Sequence, residues 1–188
     1  MKRVFAMAAL LLVLFTLPAF GQQAGCLLYT DDTPPREVAE VTVPEGFTRS
    51  PEESHVGGTS EYYFLPTDAD SHVRFLYYTT GQGDPHRLAE AALASYNVLY
   101  DEFEAGEIHS KDFADRACLY FDYTCAYPSR AGDTFVYEQT AVAYIPLNSD
   151  EFIACIASLA FDDPAGYLSD TAMREFLDFA MNAVKLTE

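Results

Sequence analysis

The stretch Phe152-Ile153-Ala154-Cys155-Ile156-Ala157-Ser158-Leu159 constrains the fold more than any other, because it is apolar on both alternating sets of positions. Side chains of a strand point to opposite faces in turn, so a strand with one wet face carries a polar residue at every second place. Here Ser158 is the single exception. Such a strand belongs in the middle of a sheet with both faces covered. Two amphipathic segments are available as covers. The first opens at Asp84-Pro85, an N-cap followed by a proline at the first helical position. Its apolar residues Leu88, Ala92, Tyr96, Leu99 and Phe103 recur at spacings of 4, 4, 3 and 4, and Gly106 is a natural stop. The second is capped by Ser169 or Asp170 and presents Met173, Phe176, Leu177, Ala180 and Val184. The expected class is therefore α/β: a mostly antiparallel central β-sheet flanked by helices on both faces, an α/β/α sandwich.

Residues 22–36 read as a linker, broken by Asp31-Asp32 and Pro34-Pro35. Residues 37–188 read as a single domain, without internal repeat or low-complexity tract. Val38 to Val43 forms a short strand closed by Pro44-Glu45-Gly46, and Thr48 to Thr59 a polar loop around Gly57-Gly58. Glu61–Leu65 and His72–Tyr78 form two strands around a Pro66–Asp70 turn. After the first helix, Glu107–Lys111, Ala117–Tyr127, Thr134–Ile145 and Glu151–Phe161 read as strands in a hairpin-rich stretch.

The first 21 residues read as a secretory signal. Lys2 and Arg3 precede an apolar run from Val4 to Leu17, and Ala19-Phe20-Gly21 supplies a small-x-small cleavage site. The run falls short of the ~20 residues that span a bilayer, and no later segment is apolar enough. Cleavage leaves nine basic residues against 29 acidic ones, a net charge of −20. Such a chain repels phosphate backbones, which excludes nucleic acid as a partner. Thirteen Tyr and 14 Phe without a Trp point to an aromatic core and an ordered chain.

Four cysteines, Cys26, Cys118, Cys125 and Cys155, in an exported chain suggest two disulfides. Were Cys118 and Cys125 on one strand, they would lie about 23 Å apart and point to opposite faces, too far for a bridge. The other two pairings stay open. Their spacing fits neither a CxxC redox site nor a zinc site. Gln23-Ala24-Gly25-Cys26 also partly matches a lipoprotein box, in which Cys26 would carry a lipid anchor. Cysteine parity favours the soluble form, because acylating Cys26 leaves three thiols, one of them unpaired.

The opening Val41-Thr42-Val43-Pro44-Glu45-Gly46-Phe47 resembles the start of the PsbP-like proteins, a family of extrinsic photosystem II proteins and exported bacterial relatives. The order strand, two strands, helix, four strands, helix is also similar, as are Lys111–Ala117 and the closing Ala183-Val184-Lys185-Leu186. The resemblance spans about Val38 to Leu186. It implies an α/β/α sandwich used for binding or assembly, and transfers no site residue.

No motif marks a catalytic centre. Asp68-Ala69-Asp70-Ser71-His72 starts like a calcium loop but has Val73 at the glycine position and Thr79 at the place of the bidentate glutamate. Thr80–Asp84 lacks the third glycine of a dinucleotide fingerprint and the P-loop lysine. The histidines His55, His72, His86 and His109 form no metal pattern. No cofactor and no metal is implied. One constellation stands out: strand alternation puts His72, Arg74, Asp122 and Glu138 on the less apolar phases of their strands. Gathered together, they would make a small-ligand site; otherwise they are a structural ion network. The leading expectation is an exported, non-enzymatic binding or assembly module of the envelope or extracellular space, with a protein or small-molecule partner. The alternatives are a secreted hydrolase using an Asp/Glu pair, and a surface protein that oligomerises through a sheet edge.

Overall fold

A computed structural model describes residues 25–50, 59–79, 84–129 and 134–187. Residues 1–21, read as a signal, His55 and residues 80–83 lie outside the described residues. Among the described residues, eleven strands and two α-helices follow in the order β1 (Cys26–Tyr29), β2 (Glu37–Val41), β3 (Thr48–Arg49), β4 (Ser60–Leu65), β5 (Asp68–Thr79), α1 (Pro85–Leu99), β6 (Asp101–Ala105), β7 (His109–Phe113), β8 (Arg116–Pro128), β9 (Phe135–Pro146), β10 (Glu151–Phe161), α2 (Asp170–Met181) and β11 (Val184–Leu186). A 3-10 turn, Pro164–Gly166, precedes α2.

The described strands form two antiparallel sheets. The large one has the order β3-β4-β5-β10-β9-β8-β6, with β7 also paired to β8; the small one is β1-β2-β11. The doubly apolar strand is β10, held between β5 and β9 near the middle of the large sheet. Its two phases go to separate cores. Ile153, Cys155, Ala157 and Leu159 pack with Met173, Phe176, Leu177 and Ala180 of α2, and with Leu28, Val38 and Val41 of the small sheet. Phe152, Ala154 and Ile156 pack with Phe121, Tyr123, Val142 and Tyr144, and with Leu88, Ala89 and Tyr96 of α1. The helices differ in how deeply they seat. Five residues of α2 are buried, whereas α1 buries only Ala89.

Both N-caps are as expected. Asp84 accepts from the backbone N–H of His86, and Ser169 from that of Ala172. The C-terminal ends are not. The apolar spacing carries α1 to Phe103, but the helix stops at Leu99, and Asp101–Ala105 pairs with β8. Phe103 then meets the Tyr123 ring at 5.6 Å, while Val98 and Leu99 are 84% and 71% exposed. Pairing to a sheet edge outweighed the helical spacing. Gly106 is consequently no helix stop: its N–H donates to the Asp122 carbonyl, and a Cβ there would meet Asp122 Oδ1 at 2.0 Å. Val184 likewise leaves its helical stripe to pair with Val41. The segment read as a linker contains β1, which pairs with β2. The acidic turn is tighter than expected, with Asp68 opposite Leu65 and its carboxylate accepting from the Asp70 N–H and Ser71 hydroxyl.

The cysteines also differ from expectation, since all four are free thiols. Unbroken β8 puts Cys118 in the α2-side core and Cys125 in the α1-side core. Cys155 shares the face of Cys118, but β9 runs between their strands. Two strand spacings put the Cα atoms about 10 Å or more apart, beyond the roughly 4.4–6.8 Å a disulfide spans. Burial pushes Cys118 up to about 11 and Cys125 up to about 12. Cys26 opens β1 opposite Val41, its thiol beside Tyr63 and Glu61. Among the described residues, no helix is long and apolar enough to cross a membrane.

Candidate functional site

The shallow seating of α1 leaves a half-open cleft of about 300 Å³ between that helix and the sheet. The helix contributes Leu88, Ala91, Ala92, Ser95 and Tyr96; three of these side chains are too small to fill the space. The floor is aromatic, with Tyr78 from β5, Phe121 and Tyr123 from β8, Tyr144 from β9 and Phe152 from β10. These rings hold one another in place. Phe152 lies 4.6 Å from Tyr144 and stacks on Tyr78 at 5.6 Å, and Phe121 meets Tyr144 edge-on at 5.4 Å. A sealed, dry void of this size would cost on the order of 7 kcal/mol at ~24 cal/mol per Å³. That rivals the entire stability of an ordinary domain, about 5–15 kcal/mol. The cleft avoids the cost by being open at one side.

Beyond the aromatic floor, the same sheet face turns polar. Glu138 is buried at 9% exposure and accepts from the Thr140 hydroxyl at 2.7 Å and the Tyr127 hydroxyl at 3.1 Å. With Thr140 donating there, its 2.8 Å contact with Ser158 must be Ser158 donating to Thr140. Burial pushes the phenols of Tyr96, Tyr100, Tyr123 and Tyr127 up, and the Glu138 charge adds to the push in each. These tyrosines stay protonated donors at neutral pH. A second hollow of about 340 Å³, polar and lined by Tyr62, Asp70, His72 and Tyr127, lies further along this face. There Tyr62 stacks on His72 at 4.9 Å.

The structure splits the expected four-residue constellation. His72, Arg74 and Glu138 share the α1 face, but Asp122 alternates onto the α2 face beside Asp170, Arg174 and His109. Burial holds the Asp122 carboxyl above its usual range, and Asp170 adds to this. Through the register, Arg74 pairs with Ile156 and Glu138 with Ala160, two strands over and four residues along. That separates their Cα atoms by about 16 Å. His72 and Arg74 remain neighbours. Arg74 sits between Tyr62, which lines the polar hollow, and Ile156, which lines the cleft. Its Nε is buried with no hydrogen-bond partner. Its charge reaches Tyr96, where it works against the upward push of burial.

Sequence patterning assigns Tyr96 to a core stripe and singles out none of the other cleft rings, because a search for ionisable clusters passes over aromatic walls. The legible signal is Ala91-Ala92-Leu93-Ala94-Ser95, a run of mostly small residues on the helix facing tyrosine-rich strands. Among the described residues, no group of three or more His, Cys, Asp or Glu is placed to hold a metal ion.

No protein-family model and no curated relative matches the chain. It is similar in structure to cyanobacterial PsbP from Synechocystis sp. PCC 6803, with TM-score 0.52 and 13% identity over 92% of this chain and 99% of that one. It also aligns with LpqN of Mycobacterium tuberculosis, a protein involved in cell envelope biogenesis, with TM-score 0.47 and 15% identity over 90% and 93% of the two chains. The chain has a PsbP-like fold.

Proposed function

We propose that this protein is an exported, non-enzymatic binding module whose cleft between α1 and the sheet takes a small apolar or aromatic ligand. The observation that carries this is the aromatic cleft itself, half-open, about 300 Å³, and roofed by small helix residues. Its size falls at the lower end of ordinary small-molecule sites, roughly 300–1,000 Å³, which are mostly apolar with a few placed polar groups. Export rests on the signal-like residues 1–21. The whole is read as an α/β/α sandwich, which the separate packing of α1 and α2 on the two phases of β10 supports. Cys26 is read as a packed thiol of β1 and not as a lipid anchor, since it is paired to β2 and lies against Tyr63.

The test is titration with the neutral fluorophore N-phenyl-1-naphthylamine. The expected result is saturable binding at one site that is lost when Ala92→Trp fills the cleft. No saturable binding, or equal binding by the filled variant, overturns the reading.

A further inference from the structure

The cleft's walls suit an apolar ligand; Arg74, a cation beside it, says more. Arg36 donates to Glu151 at 2.7 Å, Arg49 to Glu61 at 2.6 and 2.9 Å, and Arg116 to the carbonyls of Pro146 and Leu147 at 2.7 and 2.9 Å. Among the described residues, no such acceptor meets the buried Nε of Arg74. A buried donor left unpaired is costly, and more so when it belongs to a charged group. Position makes it informative. Arg74 lies on the cleft's face of β5, beside Ile156 in the cleft wall and within electrostatic reach of Tyr96 on the helix side. Glu138, on the same face, is too far along the sheet to pair with it, and its carboxylate already accepts two hydroxyls.

We propose that the cleft takes an organic anion: an aromatic or apolar acid whose ring system rests on Tyr78, Tyr144 and Phe152 and whose acid group is bound by Arg74. The guanidinium fork matches a carboxylate, sulfonate or phosphate oxygen, and a charge-assisted bond of this kind is about twice as strong as a neutral one. Tyr96 lines the cleft within electrostatic reach of Arg74, and its hydroxyl would be the second donor. The overall charge of −18 opposes any anion in solution, so affinity for one has to come from this local cation. The inference rests on the cleft being the ligand site.

A matched pair of probes separates the two ideas. 8-Anilinonaphthalene-1-sulfonate and N-phenyl-1-naphthylamine share one aromatic skeleton and differ by the sulfonate. The full chain is expected to bind the sulfonate at least ~10-fold more tightly, a factor that corresponds to about 1.4 kcal/mol. Arg74→Met is expected to abolish that preference while leaving the neutral probe's affinity unchanged. Arg74→Lys, which keeps the charge but loses the fork, is expected to fall between the two and serves should the methionine variant fold poorly. Equal or tighter binding of the neutral probe by the unmodified chain overturns the anion assignment and leaves the cleft standing. So does an undiminished preference in the Arg74 variants. Failure of both probes to bind removes the cleft reading itself.

Discussion

Glu61 is fully buried on β4, and Arg49 is its one charged partner among the described residues. Arg49, half of the two-residue strand β3, grips it with Nε to Oε2 at 2.6 Å and a terminal nitrogen to Oε1 at 2.9 Å. The carboxylate side chain is 1% exposed and that of Arg49 21%, so water screens the pair poorly. Arg49→Met keeps most of the aliphatic stem and removes the charge. Among the described residues Glu61 is then left with the Tyr63 hydroxyl, at 3.4 Å a marginal donor, and the weakly donating Cys26 thiol. Removing one partner of a buried pair costs about 3–5 kcal/mol, against about 0–1 kcal/mol for an exposed one. At about 2–4 °C per kcal/mol for a chain of this size, the melting temperature should fall by roughly 6–20 °C. The double variant Arg49→Met, Glu61→Met removes the orphaned charge as well and should recover most of the loss, since apolar replacement of a buried pair is often close to neutral. Urea unfolding followed by far-ultraviolet circular dichroism measures both. The reasoning fails if Arg49→Met costs less than about 1 kcal/mol, or if the double variant is no more stable than the single.

With three thiols packed in the two cores, native protein at pH 8 should label quickly with a thiol reagent at Cys26 at most, and at all four cysteines in urea; fewer than four in urea would reveal a disulfide. Glu151 is held below its ordinary value by the Tyr77 hydroxyl, with Arg36 and Asn148 assisting. A lowered carboxylate stabilises the fold above the unfolded value of 4.5 and loses that contribution as pH falls through the folded one. Glu151→Gln should therefore be less stable than the parent at pH 7, with the gap closing on acidification below about pH 5; a pH-independent gap in urea midpoint would contradict this. Gly106→Ala drives a Cβ to within 2.0 Å of Asp122 Oδ1 and should destabilise by about 1–3 kcal/mol in thermal melts, whereas an unchanged melting temperature would mean that the contact yields freely.

Much of the architecture is legible from residue patterns, for identifiable reasons. The doubly apolar Phe152–Leu159 can only be a covered, interior strand, and β10 is flanked by β5 and β9. The caps Asp84 and Ser169 are readable because capping is a local hydrogen bond, made within three residues. Where local periodicity competes with a long-range partner, the reading fails. Phe103 and Val184 both fit helical stripes, yet each lies in a strand that pairs with a distant segment. β1 escaped notice because four residues beside Asp31-Asp32 and Pro34-Pro35 carry too short a pattern to signal a strand.

The site divides along the same line. Alternation places Arg74 and His72 on one face, and that holds because a two-residue period is a property of the strand alone. Whether Asp122 joins them depends on the phase of β8 relative to β5, three strands away, and that phase is set through the β8–β9 and β9–β10 registers. A one-residue slip in either would bring Asp122 to the other face. The cleft is more remote still from the sequence. It exists because α1 buries a single alanine while Tyr78, Tyr144 and Phe152 come together from three strands. The sequence by itself determined the central strand, the helix starts and the acidic charge. Register and helix seating, which depend on contacts between residues far apart in the chain, decided which side chains line a cavity and left the Arg74 Nε beside it unpaired among the described residues.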